Sequence, residues 1–179
     1  MAMKKIVIVL LMAFVMLNVF SSSSGSISFD VHWSTTNPAN TIISILPYSG
    51  SGTLPQDNER NYLKSVSPSD NSSTYNICLI KYKTNEKGIH KLRFSATPMI
   101  DTSNSEVHPY VLYITYGNGF PTEIMVGQDD KPNYEEIVFS AIGSGETTAD
   151  FYLKAAFTDF NNMEIGGYSS TVTIMRISE

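Results

Sequence analysis

Ile27–Trp33 (ISFDVHW) alternates without a fault. Ile27, Phe29, Val31 and Trp33 fall on one side, and Ser28, Asp30 and His32 on the other. Period two over seven residues describes a half-buried β-strand with one face in a core and one in water. Asn37–Pro38 closes the run, because proline has no N–H for a ladder and restricts the residue before it.

Similar runs recur along the rest of the chain, separated by Gly, Pro, Asn, Asp and Ser. They are Thr41–Leu46, Tyr75–Lys83, Ile89–Thr97, Tyr110–Tyr116, Glu123–Gly127, Glu136–Ala141, Ala149–Phe157 and Tyr168–Ile177. With the first run they make about nine strands and no βαβ alternation, which predicts an all-β antiparallel two-sheet sandwich of immunoglobulin-like or pilin-like kind. A closed barrel is the rival. The long polar connection after Leu46 favours the sandwich, whose crossings between sheets need long links.

Tyr110–Tyr116 (YVLYITY) is apolar on both faces and is expected inside a sheet. Gly117–Pro121 (GNGFP) is a strong turn signal. Tyr75–Lys83 and Ile89–Thr97 are expected to pair as a hairpin across Asn85–Gly88 (NEKG), with His90, Leu92, Phe94 and Ala96 on one face. Pro98–Pro109 reads as a loop. Pro55–Val66 (PQDNERNYLKSV) is expected to form a short helix that turns Tyr62, Leu63 and Val66 inward.

The stretch before Ile27 sets the compartment. Lys4 and Lys5 precede an apolar Ile6–Phe20, and small residues follow in Ser21–Ser26. This is the order of a secretory signal peptide. The apolar stretch is shorter than the roughly 20 residues a membrane-spanning helix needs. Residues 1–26 are therefore expected to be a signal cleaved between Ser21 and Ser26, and 27–179 a single exported domain. The destination is periplasm, cell surface or medium, with membrane contact only through the signal. The lone cysteine, Cys78, lies far from the cleavage region and cannot carry a lipid there. Within a strand it reads as a buried small hydrophobe.

Once Lys4 and Lys5 leave, the 12 basic residues become ten against 17 acidic ones, a net charge of about −7. That balance excludes nucleic acid as an expected partner. The basic residues of Lys81–Arg93 alternate with apolar ones and read as a solvated sheet face.

Glu164–Ile177 (EIGGYSSTVTIMRI) resembles the closing strand of secreted bacterial sandwich modules, pilin-like and adhesin-like domains among them. Phe151–Phe157 resembles the core strand before it. The resemblance covers roughly thirty residues and implies architecture only. Two features depart from pilin subunits: there is no cysteine pair, and the last strand does not end in an aromatic residue.

No residue set announces a reaction. His32, His90 and His108 lack metal-ligand spacing, and Gly143-Ser144-Gly145 is too short for a nucleophile elbow. The carboxylates Asp129-Asp130, Glu135-Glu136, Asp159 and Glu164 do not follow a calcium-loop pattern. Tyr48, Tyr62, Tyr134 and Tyr168 stand near turns and are expected at the surface, where tyrosine serves protein or glycan recognition. The expectation is a non-enzymatic domain for binding, adhesion or surface assembly, without cofactor, metal or catalytic residues. Self-association would use Ile27, Phe29, Val31 and Trp33 as an assembly edge. The alternative is a carbohydrate-binding module or hydrolase with a concave face of tyrosine, Trp33 and carboxylates.

Overall fold

The apolar lines of the strands face each other across two sheets. The computed structural model describes residues 26–34, 41–49, 61–68, 73–103, 105–128, 131–141, 146–158, 163 and 166–177. Residues 1–25 of the expected signal lie outside them, as do Asp129-Asp130, Asp159 and Glu164. The described residues form twelve strands and no helix: β1 (Ser26–Trp33), β2 (Thr41–Pro47), β3 (Asn61–Val66), β4 (Thr74–Thr84), β5 (Gly88–Ala96), β6 (Met99–Asp101), β7 (Val107–His108), β8 (Tyr110–Tyr116), β9 (Pro121–Val126), β10 (Tyr134–Ala141), β11 (Thr147–Ala156) and β12 (Gly167–Ile177).

One sheet runs β10-β5-β12-β1-β3, with β6 and β7 continuing it beside β12. The other runs β2-β4-β11-β8-β9. Phe29, Phe94, Phe151, Phe157, Tyr82 and Tyr110 fill the space between them. The two sheets are separate, so the fold is a sandwich and not a barrel.

The chain changes sheet at almost every connection; only β6–β7 and β8–β9 pair as sequence neighbours. The hairpin expected of β4 and β5 is therefore absent. β4 pairs with β2 and β11, and β5 with β10 and β12. Their apolar lines face one another across the core, so residues 85–87 form a corner between sheets. Gly88 leaves it at φ 127°, a conformation open to glycine.

β1 overturns the expected assembly edge. It lies inside its sheet, parallel to β12 and antiparallel to β3. Ile27, Phe29, Val31 and Trp33 are all buried. Their unbroken alternation marks a strand whose one face belongs to the core, and it says nothing of how many neighbours the backbone has.

The expected helix is also corrected where it is described. Residues 61–66 form β3, with Tyr62 and Val66 opposite Val31 and Ile27. Leu63 points outward, 70% exposed. A strand needs only Tyr62 and Val66 inside, and an adjacent Leu63 cannot share their face. The expected loop Pro98–Pro109 holds β6 and β7. β6 continues β5 along β12 after a one-residue slip at Thr97–Pro98 (Ala96 faces Val172, whereas Ile100 faces Ser169). Proline suits that bulge because it has no N–H to lose.

The registers give the sandwich two distinct ends. β1, β4, β8, β10 and β12 run toward the end that holds Trp33. β2, β3, β5, β9 and β11 run away from it, toward the end that holds Tyr110. β2 stops at the Tyr110 end and β3 starts at the Trp33 end, in the other sheet. The long polar connection between them has that distance to cover.

Candidate functional site

An exposed turn, a groove and a cluster of rings lie together at the Trp33 end, whereas the Tyr110 end exposes Ile100, Val107 and Tyr134. The rings lie beneath the surface of the Trp33 end. Trp33 from β1, Tyr82 from β4, His90 from β5 and Phe139 from β10 meet there with centroids 5.4–6.4 Å apart. Each sits on the inward line of its strand; Trp33 is the last residue of β1, and the other three lie two residues from a strand's end.

Two hydrogen bonds fix His90. Its Nε2 lies 3.1 Å from the Glu86 carbonyl, which can only accept, so Nε2 carries the proton. Nδ1 then accepts from the Tyr82 hydroxyl at 3.0 Å. Both ring nitrogens are engaged in holding the corner between β4 and β5, so His90 is a packing residue. Burial raises the phenol of Tyr82 above its ordinary range, partly offset by the hydroxyl of Thr41. Thr41 and Thr84 bond to each other at 3.3 Å, and the Glu86 amide donates to Thr84 Oγ1 at 3.1 Å.

Arg176, near the end of β12, reaches Glu86 at 2.7 Å through Nη2. Its Nη1 and the indole Nε1 of Trp33 are buried and make no hydrogen bond. Trp33 itself is only 4% exposed.

Above this layer the surface opens. The Gly117–Phe120 turn joins β8 to β9, with Gly117 at φ 57° and Gly119 N donating to the Tyr116 carbonyl at 3.0 Å. The turn leaves Phe120 96% exposed and Tyr116 39% exposed. Tyr116 stacks on Phe151 and meets Phe139, so the exposed tip stands on the ring cluster. On the outer side, Ile42, Lys83, Thr84, Asn85 and Glu146 line an open groove of about 350 Å³. A Lys83–Glu146 ion pair of 2.7 Å closes one wall.

The three histidines are scattered. His32 is on the outer face of its sheet, 3.2 Å from Thr173 Oγ1, and His108 on β7 meets the ring of Tyr168 near the Tyr110 end. Among the described residues no three of His, Cys, Asp and Glu gather as a metal site. Cys78 is buried, and burial pushes its thiol far up. Lys81 and Lys83 face outward from one sheet, paired with Asp150 and Glu146. Lys91 and Arg93 face outward from the other, both paired with Glu136. The basic run is thus divided between opposite faces and makes no single patch.

Of the tyrosines expected at the surface, Tyr134 is exposed under the Arg93 guanidinium, and Tyr48 stands half-buried against Tyr152 with Lys154 over its ring. Tyr62 packs on the core and Tyr168 is buried. Phe120 and Tyr116 were not singled out by sequence, although the Gly-Asn-Gly turn that presents them was plain.

No family model matches the chain, and no curated protein is similar to it in sequence.

Proposed function

We propose that this chain is an exported, non-enzymatic binding domain that grips a protein partner with the Trp33 end of its sandwich. The exposure of Phe120 carries the reading. A phenyl ring held in water on a tight glycine turn gives up the stabilisation that burying an aromatic ring brings. Buried in a partner's pocket, such a ring becomes the anchor that dominates an interface. Tyr116, at the base of the turn, packs on Phe139 and Phe151, and a turn anchored in this way lowers the ordering cost of binding. Export rests on the charged, apolar and small-residue order of residues 1–26.

The test places a photo-crosslinking phenylalanine analogue at position 120 in the exporting cell. Discrete covalent adducts at 120, with none from the same group at Leu63, are expected. Leu63 is the right control because it is also apolar and exposed, on a different face. Absence of adducts at 120, or equal adducts at 63, overturns the assignment. The exported protein's mass should begin between Ser21 and Ser26.

A second reading has its own observation. Tyr48 and Tyr152 form an edge-to-face pair at 5.5 Å with Lys154 over Tyr48, a small aromatic platform of the kind that stacks sugars. A glycan array with the wild type and Tyr48→Ala decides it: hits that vanish in the variant favour a glycan ligand.

A further inference from the structure

We infer that each open sheet edge of this sandwich is closed to a second copy of the chain, and that Lys64 and Glu135 close the edges of the larger sheet. A free strand edge offers unpaired backbone groups to any neighbouring strand, and stable sandwiches must defend it. Five strands have an open side: β3, β10 and β7 in one sheet, β2 and β9 in the other, and β7, at two residues, is too short to template a neighbouring strand. β2 ends at Pro47 and β9 starts at Pro121, each lacking an N–H for pairing.

β3 and β10 carry no proline and need another device. Lys64 lies directly opposite Phe29, and Glu135 opposite Phe94. Opposed residues of an antiparallel pair share a face, and Phe29 and Phe94 are wholly buried. Both charges therefore stand on the core-facing lines of their strands, flanked by Tyr62 and Val66 in one case and Ile137 in the other. Neither forms an ion pair with another described residue.

At an edge, such a side chain can bend sideways into water. A strand added alongside would block that exit and leave a charge in the apolar layer, a cost of several kcal/mol with no partner present. The guards have something to oppose. The outward lines of the same two strands carry exposed Leu63 and Val138, which a docking strand would cover favourably. The inference is independent of the binding role assigned to Phe120.

The test uses the exported protein as wild type, Lys64→Val, Glu135→Val and the double variant, compared by sedimentation across micromolar to millimolar concentrations. Far-UV circular dichroism confirms that each is folded. The wild type should stay monomeric. The valine variants should form dimers or larger species at concentrations at least about a hundredfold lower than any association of the wild type. Glu135→Lys, which keeps a charge in place, should stay monomeric. If Glu135→Val does not fold, Glu135→Gln substitutes for it and should shift association the same way by a smaller factor. A wild type that pairs through β3 or β10, or folded uncharged variants as monomeric as the wild type, would overturn the inference.

Discussion

The two ends of the sandwich solve the same problem differently. Strands stop at both, and the backbone and side chains beyond the last ladder bond need partners. At the Tyr110 end most find them, the buried Nε2 of His108 being the exception. Ser170 Oγ donates to the Thr97 carbonyl at 2.8 Å and so receives the Tyr110 hydroxyl, also at 2.8 Å. Thr97 exchanges bonds with Thr171, Asn133 takes the amides of Ala96 and Gly127, and Asp101 Oδ1 caps Ser103 twice at 2.6 Å. At the Trp33 end a layer of rings lies under an exposed phenyl group, and two buried donors make no bond. One end is built for stability; the other spends stability on what it presents. This division is why the proposed binding role rests on the Trp33 end.

The largest effect should come from the rings. Phe139 touches Tyr82, His90, Tyr116 and Phe151. Phe139→Ala should cost about 3–5 kcal/mol in urea unfolding, because it removes the ring that joins four others. Phe120→Ala, in the β8–β9 turn at the same end, should change stability by less than about 0.5 kcal/mol. A large cost at position 120 would mean that its ring supports the fold, and the binding assignment would lose its basis.

The glycine turns test the same division without touching a ring. Gly127 and Gly117 both hold positive φ. A Cβ on Gly127 would meet Pro98 at 3.0 Å and Pro109 at 3.3 Å, whereas one on Gly117 meets nothing within 4 Å. Gly117→Ala should cost about 1–2 kcal/mol, the price of a left-handed alanine alone. Gly127→Ala should cost roughly twice that, because Pro98 and Pro109 must also give way. Equal costs in thermal or urea melts would show that the Tyr110 end is packed no more tightly than the other.

Next come the hydrogen bonds. Tyr110→Phe leaves Ser170 its bond to Thr97 but removes a buried donor, and should cost about 1–2 kcal/mol. Arg176→Met loses one ion pair and also removes a buried, unbonded Nη1. Those effects oppose each other, so the change should stay within about 1 kcal/mol of zero. If Arg176→Met is the more damaging of the two, the Trp33 end is more tightly tied than its bonds indicate.

The sequence was most legible where a residue's burial depends on its own strand. Ile27–Trp33 read correctly as a one-faced strand and Tyr110–Tyr116 as an interior one. Cys78 read as core, and Gly117–Pro121 as a turn. It was least legible where the outcome depends on which strand lies alongside. Gly88 looked the same as a hairpin turn or as a crossing between sheets, and the alternation of β1 looked the same at an edge or inside. Residues 61–66 misled for a different reason: Tyr62, Leu63 and Val66 suit a helical face as well as Tyr62 and Val66 suit a strand. Phe120 was hidden because exposure of an apolar side chain leaves no periodic mark. Glu135 and Lys64 were equally hidden, since a charge on an inward line has meaning only once the strand is known to stand at an edge.

The smallest predicted effect lies away from both ends and serves as their control. Glu136, on the outer face beside Arg93 and Lys91, has its carboxyl held below the ordinary glutamate range, first by the hydrogen bond from Arg93 and then by both nearby charges. A carboxylate with a lowered folded-state pKa contributes stability above its unfolded pKa and loses it as pH falls through the folded one. The thermal midpoint of the wild type should therefore fall slightly faster on acidification than that of Glu136→Gln, and only below the usual glutamate range. Salt should narrow the gap, because the pair is open to solvent. The variant should leave the differences between Gly117→Ala and Gly127→Ala, and between Tyr110→Phe and Arg176→Met, unchanged, since it touches neither end. If Glu136→Gln alters either difference, the ends are coupled through the sheet, and their separate treatment fails.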